Sequence, residues 1–277
     1  MRRIESRNNP RLRQLRTALQ RPARATDQAA LEGFHLVQEA LASRVAVETI
    51  FVASGHESLL DNLLLPHGVE ILSVPAPLLA ASVTTESPQP IAALFTPPRW
   101  PALLGGGTQR RDTAPLLAVL AGIQDPGNLG TILRSAEAFG ATGAILLPGT
   151  VSPWNPKAMR ASAGSVFRLP ALAMSADECF RQLNHAGIPA VAAMPRADQR
   201  SGEDPFPAPP VALVIGSEGA GISPEIAARC QSQVTIPCPG PVESLNAAVA
   251  ASILLYEASR AAASLRSGSV RVPERAR

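Results

Sequence analysis

Lysine, cysteine, histidine and aromatic side chains are all scarce in this chain of 277 residues. Lys157 is the sole lysine, so arginine carries nearly all of the positive charge. The three cysteines, Cys179, Cys230 and Cys238, are odd in number and show no CxxC spacing. That pattern argues against a disulfide framework and for a reduced, cytoplasmic protein. His35, His56, His67 and His185 are scattered, without an HxH or HExxH pair, so no metal is expected. Long hydrophobic runs are missing as well. The longest, residues 245–256, is too short and too rich in alanine to span a bilayer, and no membrane association is expected. No apolar stretch follows the basic start, which excludes a secretory signal, and Asn8-Asn9-Pro10 interrupts the amphipathic helix that a transit peptide needs. With aromatics at 4% of residues, base stacking can contribute little to any nucleic-acid binding, and phosphate contacts should dominate.

What is present describes a folded protein: 46% apolar and 17% charged residues. The formal charge of +3 is unevenly spread. Arg2, Arg3, Arg7, Arg11, Arg13, Arg16, Arg21 and Arg24 gather at the start with Glu5 as the only acid among them. Such a stretch attracts polyanions, nucleic acid first, or is simply a solvated arm.

The run Thr96-Pro97-Pro98-Arg99-Trp100-Pro101, followed by Gly105-Gly106-Gly107, cannot support a packed element. It divides the chain into a domain over 1–97, a linker over 98–113, a second domain over 114–266 and a disordered tail over 267–277. In the first, Leu12, Leu15 and Leu19 give residues 11–20 helical spacing; a second helix fits 31–42, and strands fit 50–52 and 70–74. In the second, apolar strands at 116–123, 144–147, 190–193, 211–215 and 234–236 alternate with helical patterns at 129–139, 176–186, 224–230 and 244–265. Ser175 with Glu178 forms a capping box, and Ser223-Pro224 a helix start. Both domains read as α/β, the second with a parallel sheet covered by helices on both faces.

Three segments carry candidate chemistry. In Asp125-Pro126-Gly127-Asn128-Leu129-Gly130-Thr131-Ile132-Leu133-Arg134, a strand end runs into a helix, where open α/β sheets bind ligands. Asn128 should lie in the turn, where it could simply cap. Arg134 should lie on an otherwise apolar, small-residue helix, placed for a phosphate or carboxylate. In Val214-Ile215-Gly216-Ser217-Glu218-Gly219-Ala220-Gly221, glycines either admit a ligand close to backbone or only make a tight turn. It is neither a P-loop nor a dinucleotide GxGxxG. In Ile236-Pro237-Cys238-Pro239-Gly240-Pro241-Val242-Glu243-Ser244-Leu245-Asn246, a rigid loop enters a long alanine-rich helix. Ser244 could cap that helix, and the alanines suit either a close interface or a buried core.

Together, and in this order, these segments resemble the three signature motifs of the SpoU/TrmH family, in the SPOUT superfamily of RNA methyltransferases. The resemblance covers residues 116–257 and includes Lys157-Ala158-Met159-Arg160-Ala161-Ser162-Ala163-Gly164-Ser165. The start Ile4-Glu5-Ser6-Arg7-Asn8-Asn9-Pro10, with Glu32-Gly33-Phe34-His35-Leu36-Val37, is similar to the substrate-binding domain often attached to these enzymes, itself like small ribosomal RNA-binding proteins. The resemblance implies a deep trefoil knot in the second domain, against the general rarity of knots. It implies S-adenosylmethionine as donor, held by Gly216, Gly219, Ile236, Cys238 and Leu245, and methylation of a ribose 2′-hydroxyl in RNA. Arg134 matches the family's catalytic arginine; Asn128, Glu218, Ser244 and Asn246 match positions that order it and the RNA. Arginine as a residue type holds its proton too tightly to be a good base, so Arg134 is better read as binding phosphate and orienting the hydroxyl. A homodimer is implied. Ribosomal RNA of the large subunit is favoured over transfer RNA by the added domain and the arginine-rich start. Base methylation fits the Asn128/Arg134 and Ser244-Leu245-Asn246 set less well. A non-catalytic RNA-binding scaffold would be expected to lose Arg134, Asn128 or Glu218, and a nucleotide-binding oxidoreductase to carry GxGxxG.

Overall fold

Strands and helices alternate through most of the described residues. In order they are β1 (Arg2–Arg3), α1 (Pro10–Gln20), β2 (Ala29–Glu32), α2 (Phe34–Ala42), β3 (Ala46–Ala53), β4 (Glu70–Val74), α3 (Ala76–Ala80) and β5 (Ile91–Thr96). After residue 114 come β6 (Leu116–Ala121), α4 (Pro126–Ala138), β7 (Gly143–Leu146), α5 (Pro156–Ser162), β8 (Ala171–Ala173) and α6 (Ala176–His185). The chain continues with β9 (Ala190–Ala193), β10 (Val211–Gly216), α7 (Pro224–Ala227), β11 (Ser232–Val234) and α8 (Ala247–Gly268). This computed structural model describes residues 1–21, 28–100, 114–195, 206–242 and 244–268. Arg24, residues 101–113 of the linker expected over 98–113, and residues 269–277 of the tail expected over 267–277 lie outside the described residues.

The described residues form two compact units. The first takes those of 1–100 together with Asp125–Arg134 and Val151–Arg168. Its mixed sheet has five strands in the order β1-β4-β3-β5-β2, with β1, β4 and β3 parallel and β5 antiparallel to its neighbours. Asn9 caps α1 by accepting from the Arg11 amide at 2.9 Å, and Pro10 supplies a first-turn residue that has no N–H to satisfy. The helix then buries Leu12, Leu15 and Leu19 against Phe51, Leu72 and Leu94 of the sheet. Alternation along β5 sends Phe95 to the opposite face, where its ring meets Trp154 and Phe167 edge-on, centroids 5.9 and 5.7 Å away.

The helix expected over 31–42 begins only at Phe34, because Leu31 and Glu32 pair with Ala93 and Ala92 in the sheet and Gly33 turns the chain at φ +103. The arginine-rich start is partly consumed by the fold. Arg2 and Arg11 both reach Glu70, at 3.0 and 2.8 Å, Arg3 pairs with Glu5, and Arg16 donates to the Arg7 carbonyl. Arg7, Arg13 and Arg21 stay exposed.

The second unit takes the described residues of 101–124, 135–150 and 169–268. Its six strands run in the order β11-β9-β10-β6-β7-β8, and every pairing is parallel. That sheet, covered by helices on both faces, is the α/β architecture expected for the C-terminal half. Leu117, Val119, Ala212 and Val214 pack on one face against Cys179, Phe180 and Leu183 of α6. The alternate residues face α8, which packs on β10 and β6. Ser135 and Ser252 hydroxyls meet at 2.7 Å, joining the end of α4 to α8.

Several boundaries differ from expectation. α4 begins at Pro126, three residues before the expected start, because Asp125 caps it: its Oδ1 accepts from the Asn128 amide at 2.9 Å. Asn128 therefore sits in the first helical turn rather than before it. α8 begins at Ala247, not at residue 244, and its cap is Asn246, whose Oδ1 accepts from Ala248 and Val249 amides at 2.9 and 3.2 Å. β11 ends at Val234, where the expected strand began, and α7 stops at Ala227. Ser175 caps α6 as expected, accepting from the Glu178 amide at 3.2 Å. The Glu178 carboxylate, however, turns to Arg181 and Gln182, which leaves only half of the capping box.

Candidate cofactor pocket

Because β9, β10 and β11 are parallel neighbours, their carboxyl ends share one edge of the sheet, the edge at which such sheets take ligands. A cavity of about 590 Å³ lies there, within the second unit. This is the size of small-molecule sites in general. Its walls come from Met194 after β9, Ile215 to Gly221 at the end of β10, and Val234, Ile236 and Cys238 from β11 onward. Ser244, Leu245 and the first turns of α8, through Ala247, Ala250 and Leu254, close it.

The β10 loop is held by its own backbone. Ser217 and Gly221 exchange both main-chain hydrogen bonds, at 3.2 and 2.9 Å, and Gly221 sits at φ +65. Gly216 lies so close under this closure that a Cβ there would stand 2.2 Å from the Gly221 carbonyl carbon. The position therefore demands glycine. Gly219, by contrast, has nothing within 4 Å of a built Cβ.

Asn246 ties this loop to α8. While its Oδ1 caps the helix, its Nδ2 donates to the Glu218 carboxylate. Every residue that the resemblance implied for cofactor binding lines the one cavity: Gly216, Gly219, Ile236, Cys238 and Leu245. Glu218 and Ser244 line it too. Asn246 does not, but it fixes Glu218. Met194, Val234, Ala247, Ala250 and Leu254 were not read from the sequence. Pro195, two residues past β9, lines the cavity as well.

Asn128 and Arg134 lie on the part of α4 that belongs to the first unit. Asn128 is half-buried; Arg134 is exposed and pairs with no acid among the described residues. Asp125 ahead of them works in two directions, one oxygen capping α4 and the other accepting from Lys157 of α5 at 2.8 Å. The Lys157 ammonium, then the Asn128 amide, hold its carboxyl below the ordinary value of 3.8. Close by, α4 and α5 nearly touch backbone to backbone. A Cβ on Gly130 would lie 2.3 Å from the Ala158 carbonyl oxygen and 2.6 Å from the Ala161 Cβ.

Among the described residues, no group of three or more His, Cys, Asp or Glu is placed to hold a metal ion. No helix among them is long and apolar enough to cross a membrane.

Comparison with known proteins bears directly on this arrangement. Residues 115–256 match the model of the SpoU rRNA Methylase family, and residues 9–93 match that of an MRM3-like substrate binding domain. An uncharacterised tRNA/rRNA methyltransferase of Synechocystis is 36% identical over 93% of this chain and 93% of its own length. The 23S rRNA (guanosine(2553)-2′-O)-methyltransferase RlmP of Bacillus subtilis is 31% identical over 92% of this chain and 98% of its own. Among solved structures, the SpoU methyltransferase AviRb of Streptomyces viridochromogenes, in complex with AdoMet, superposes with a TM-score of 0.76 at 29% identity. It covers 92% of this chain and 98% of that one.

Proposed function

This chain belongs to the SpoU rRNA Methylase family, and from that premise we infer that it moves a methyl group from S-adenosylmethionine to a ribose 2′-hydroxyl of RNA. The observation that carries the reading is the convergence of Gly216, Gly219, Ile236, Cys238 and Leu245 on one cavity at the strand ends. The pocket suits the donor chemically. Ile236, Leu245 and Leu254 offer apolar walls for a purine, loop amides and carbonyls offer partners for its polar edge, and Glu218 brings a negative charge to a cationic ligand. Bound there, the donor supplies an electrophilic methyl on a sulfonium.

The protein's share of the work is then to position the ribose and accommodate the departing proton. Arg134 binds a phosphate and orients the hydroxyl, the work a planar, forked guanidinium does better than accepting a proton. Asn246 caps α8 and fixes Glu218, Ser244 faces the donor, and Asn128 helps to order Arg134 and the RNA. The Arg134→Ala variant should lose nearly all turnover while its affinity for S-adenosylmethionine, measured calorimetrically, stays within a few-fold of wild type. Retained turnover with lost donor binding would remove Arg134 from this role.

For the target, we favour large-subunit ribosomal RNA. Support comes from the MRM3-like match and from the name of the Bacillus subtilis relative. A cytoplasmic homodimer whose C-terminal domain carries a trefoil knot belongs to the same reading. Incubating the chain with tritiated S-adenosylmethionine and separated ribosomal and transfer RNA tests it, with the product mapped by mass spectrometry for 2′-O-methyl nucleotides. Label on 23S-type RNA at a ribose is expected. Label on transfer RNA alone would reassign the substrate, and label on a base would overturn the chemistry.

A further inference from the structure

Among the described residues beyond 114, most arginine side chains are committed to acids, which makes the exceptions there informative. Beyond residue 114, Arg168 pairs with Glu39, Arg181 with Glu178, Arg229 with Asp177 and Arg260 with Glu257. Of the other described arginine side chains there, Arg134 is one that meets no described acid, and Arg160 is the second. Arg160 is exposed on α5, the helix that Gly130 of α4 approaches so closely. The two helices thus carry one uncommitted guanidinium each.

The sequence around Arg160 leaves it no acid nearby in the chain. Between Glu137 and Asp177 there is no Asp or Glu at all, and the cations of that stretch are Lys157, Arg160 and Arg168. Lys157 is spent on Asp125 and Arg168 on Glu39. Arg160 alone is left unspent. Its backbone is also well fixed. The Arg160 carbonyl accepts from Ala163 at 3.1 Å, and Ala163 takes a left-handed φ of 48. The next residue, Gly164 at φ +88, lies so close to Glu39 that a Cβ would stand 2.7 Å from its Oε2. A mere complement to a helix dipole would not need this anchoring, and α5, at 7 residues, has little dipole to complement.

We propose that Arg160 is a second phosphate-binding guanidinium of this enzyme, contacting the RNA backbone at a phosphate other than the one Arg134 takes. It rests on the methyltransferase reading and names a further residue for it. Two forked guanidiniums on a pair of helices locked together at Gly130 would grip the chain on either side of a splayed nucleotide, fixing the ribose before chemistry.

The test compares Arg160→Ala, Arg160→Lys and the paired, exposed Arg181→Ala with wild type in the full chain. Methyl transfer to RNA and RNA binding in the presence of S-adenosylhomocysteine are each followed over a range of salt. Arg160→Ala should raise KM and Kd for RNA about tenfold, as the loss of one charge-assisted contact does. It should flatten the log–log salt slope by roughly 0.7 to 0.9 and leave S-adenosylmethionine affinity unchanged. Arg160→Lys should regain the slope but not all the affinity, and Arg181→Ala should match wild type. RNA affinity and salt slope in Arg160→Ala equal to those of Arg181→Ala would overturn the proposal alone. A wild-type chain that methylates no RNA would overturn it together with the reading beneath it.

Discussion

Asp125 shows how much one carboxylate can organise: it caps α4 with one oxygen and holds Lys157 with the other. Its lowered pKa makes a signed prediction. A depressed carboxylate adds stability above its unfolded value, and that stability is lost as pH falls through the folded value. Asp125→Asn keeps a capping oxygen but removes the charge. Its melting temperature should therefore trail wild type at neutral pH, and the gap should close below the ordinary value of 3.8. The gap will be small, because at 42% exposure water screens the pair. A gap that persists unchanged in acid would mean the charge is not what the Asp supplies. Cysteines give a second residue-scale test. Burial pushes Cys179 up to about 12 and Cys230 to about 11, so both should resist alkylation in the native protein. Cys238 lines the pocket, and its labelling by iodoacetamide should be slowed by S-adenosylhomocysteine. Labelling at the same rate with and without that ligand would count against the cofactor site.

At the scale of elements, Gly130 decides the sign of a substitution that propensity alone gets wrong. Glycine to alanine inside a helix ordinarily gains about 1 kcal/mol. Here the new methyl would press into the Ala158 carbonyl, so Gly130→Ala should instead cost roughly 1–3 kcal/mol in urea denaturation. The sequence could not have announced this, since the collision is with a helix far along the chain. The same limit explains which elements were legible. Strands of the parallel sheet, apolar on both faces, were read nearly to the residue at 190–193 and 211–215. β2 was taken into a helix because Leu31 and Glu32 continue a helical pattern that only their pairing with β5 overrides. Helix starts slipped wherever a polar side chain caps from an unexpected place. Asp125 hides one start behind Pro126, and Asn246, read as a site residue, is also the cap that Ser244 was thought to be. The pocket-lining residues Gly216, Gly219, Ile236, Cys238 and Leu245 were legible because they come as motifs. Met194 was not, since one methionine after a strand carries no pattern.

For the whole molecule, the dimer is the property to test. Val249 and Tyr256 are large apolar residues left 48% and 49% exposed on α8, and at seven residues apart they share a face. Such a stripe on a helix that also walls the pocket suits a second copy of the chain. Sedimentation should give a dimer, and the double change Val249→Arg, Tyr256→Arg should give monomers. A wild-type monomer at micromolar concentration would remove the dimer from the account.

The β10 loop, closed by Ser217 and Gly221 with Gly216 tucked beneath, presents the peptide itself to whatever occupies the cavity. Short of a change to proline, no codon change removes a main-chain amide or carbonyl. A compound competing at this spot would thus meet a surface that mutation cannot easily alter, because a bulkier residue at Gly216 deforms the loop before it repels the compound. Escape would have to arise on the apolar walls, at Met194, Val234 or Leu254, and those are the positions to watch in a selection experiment.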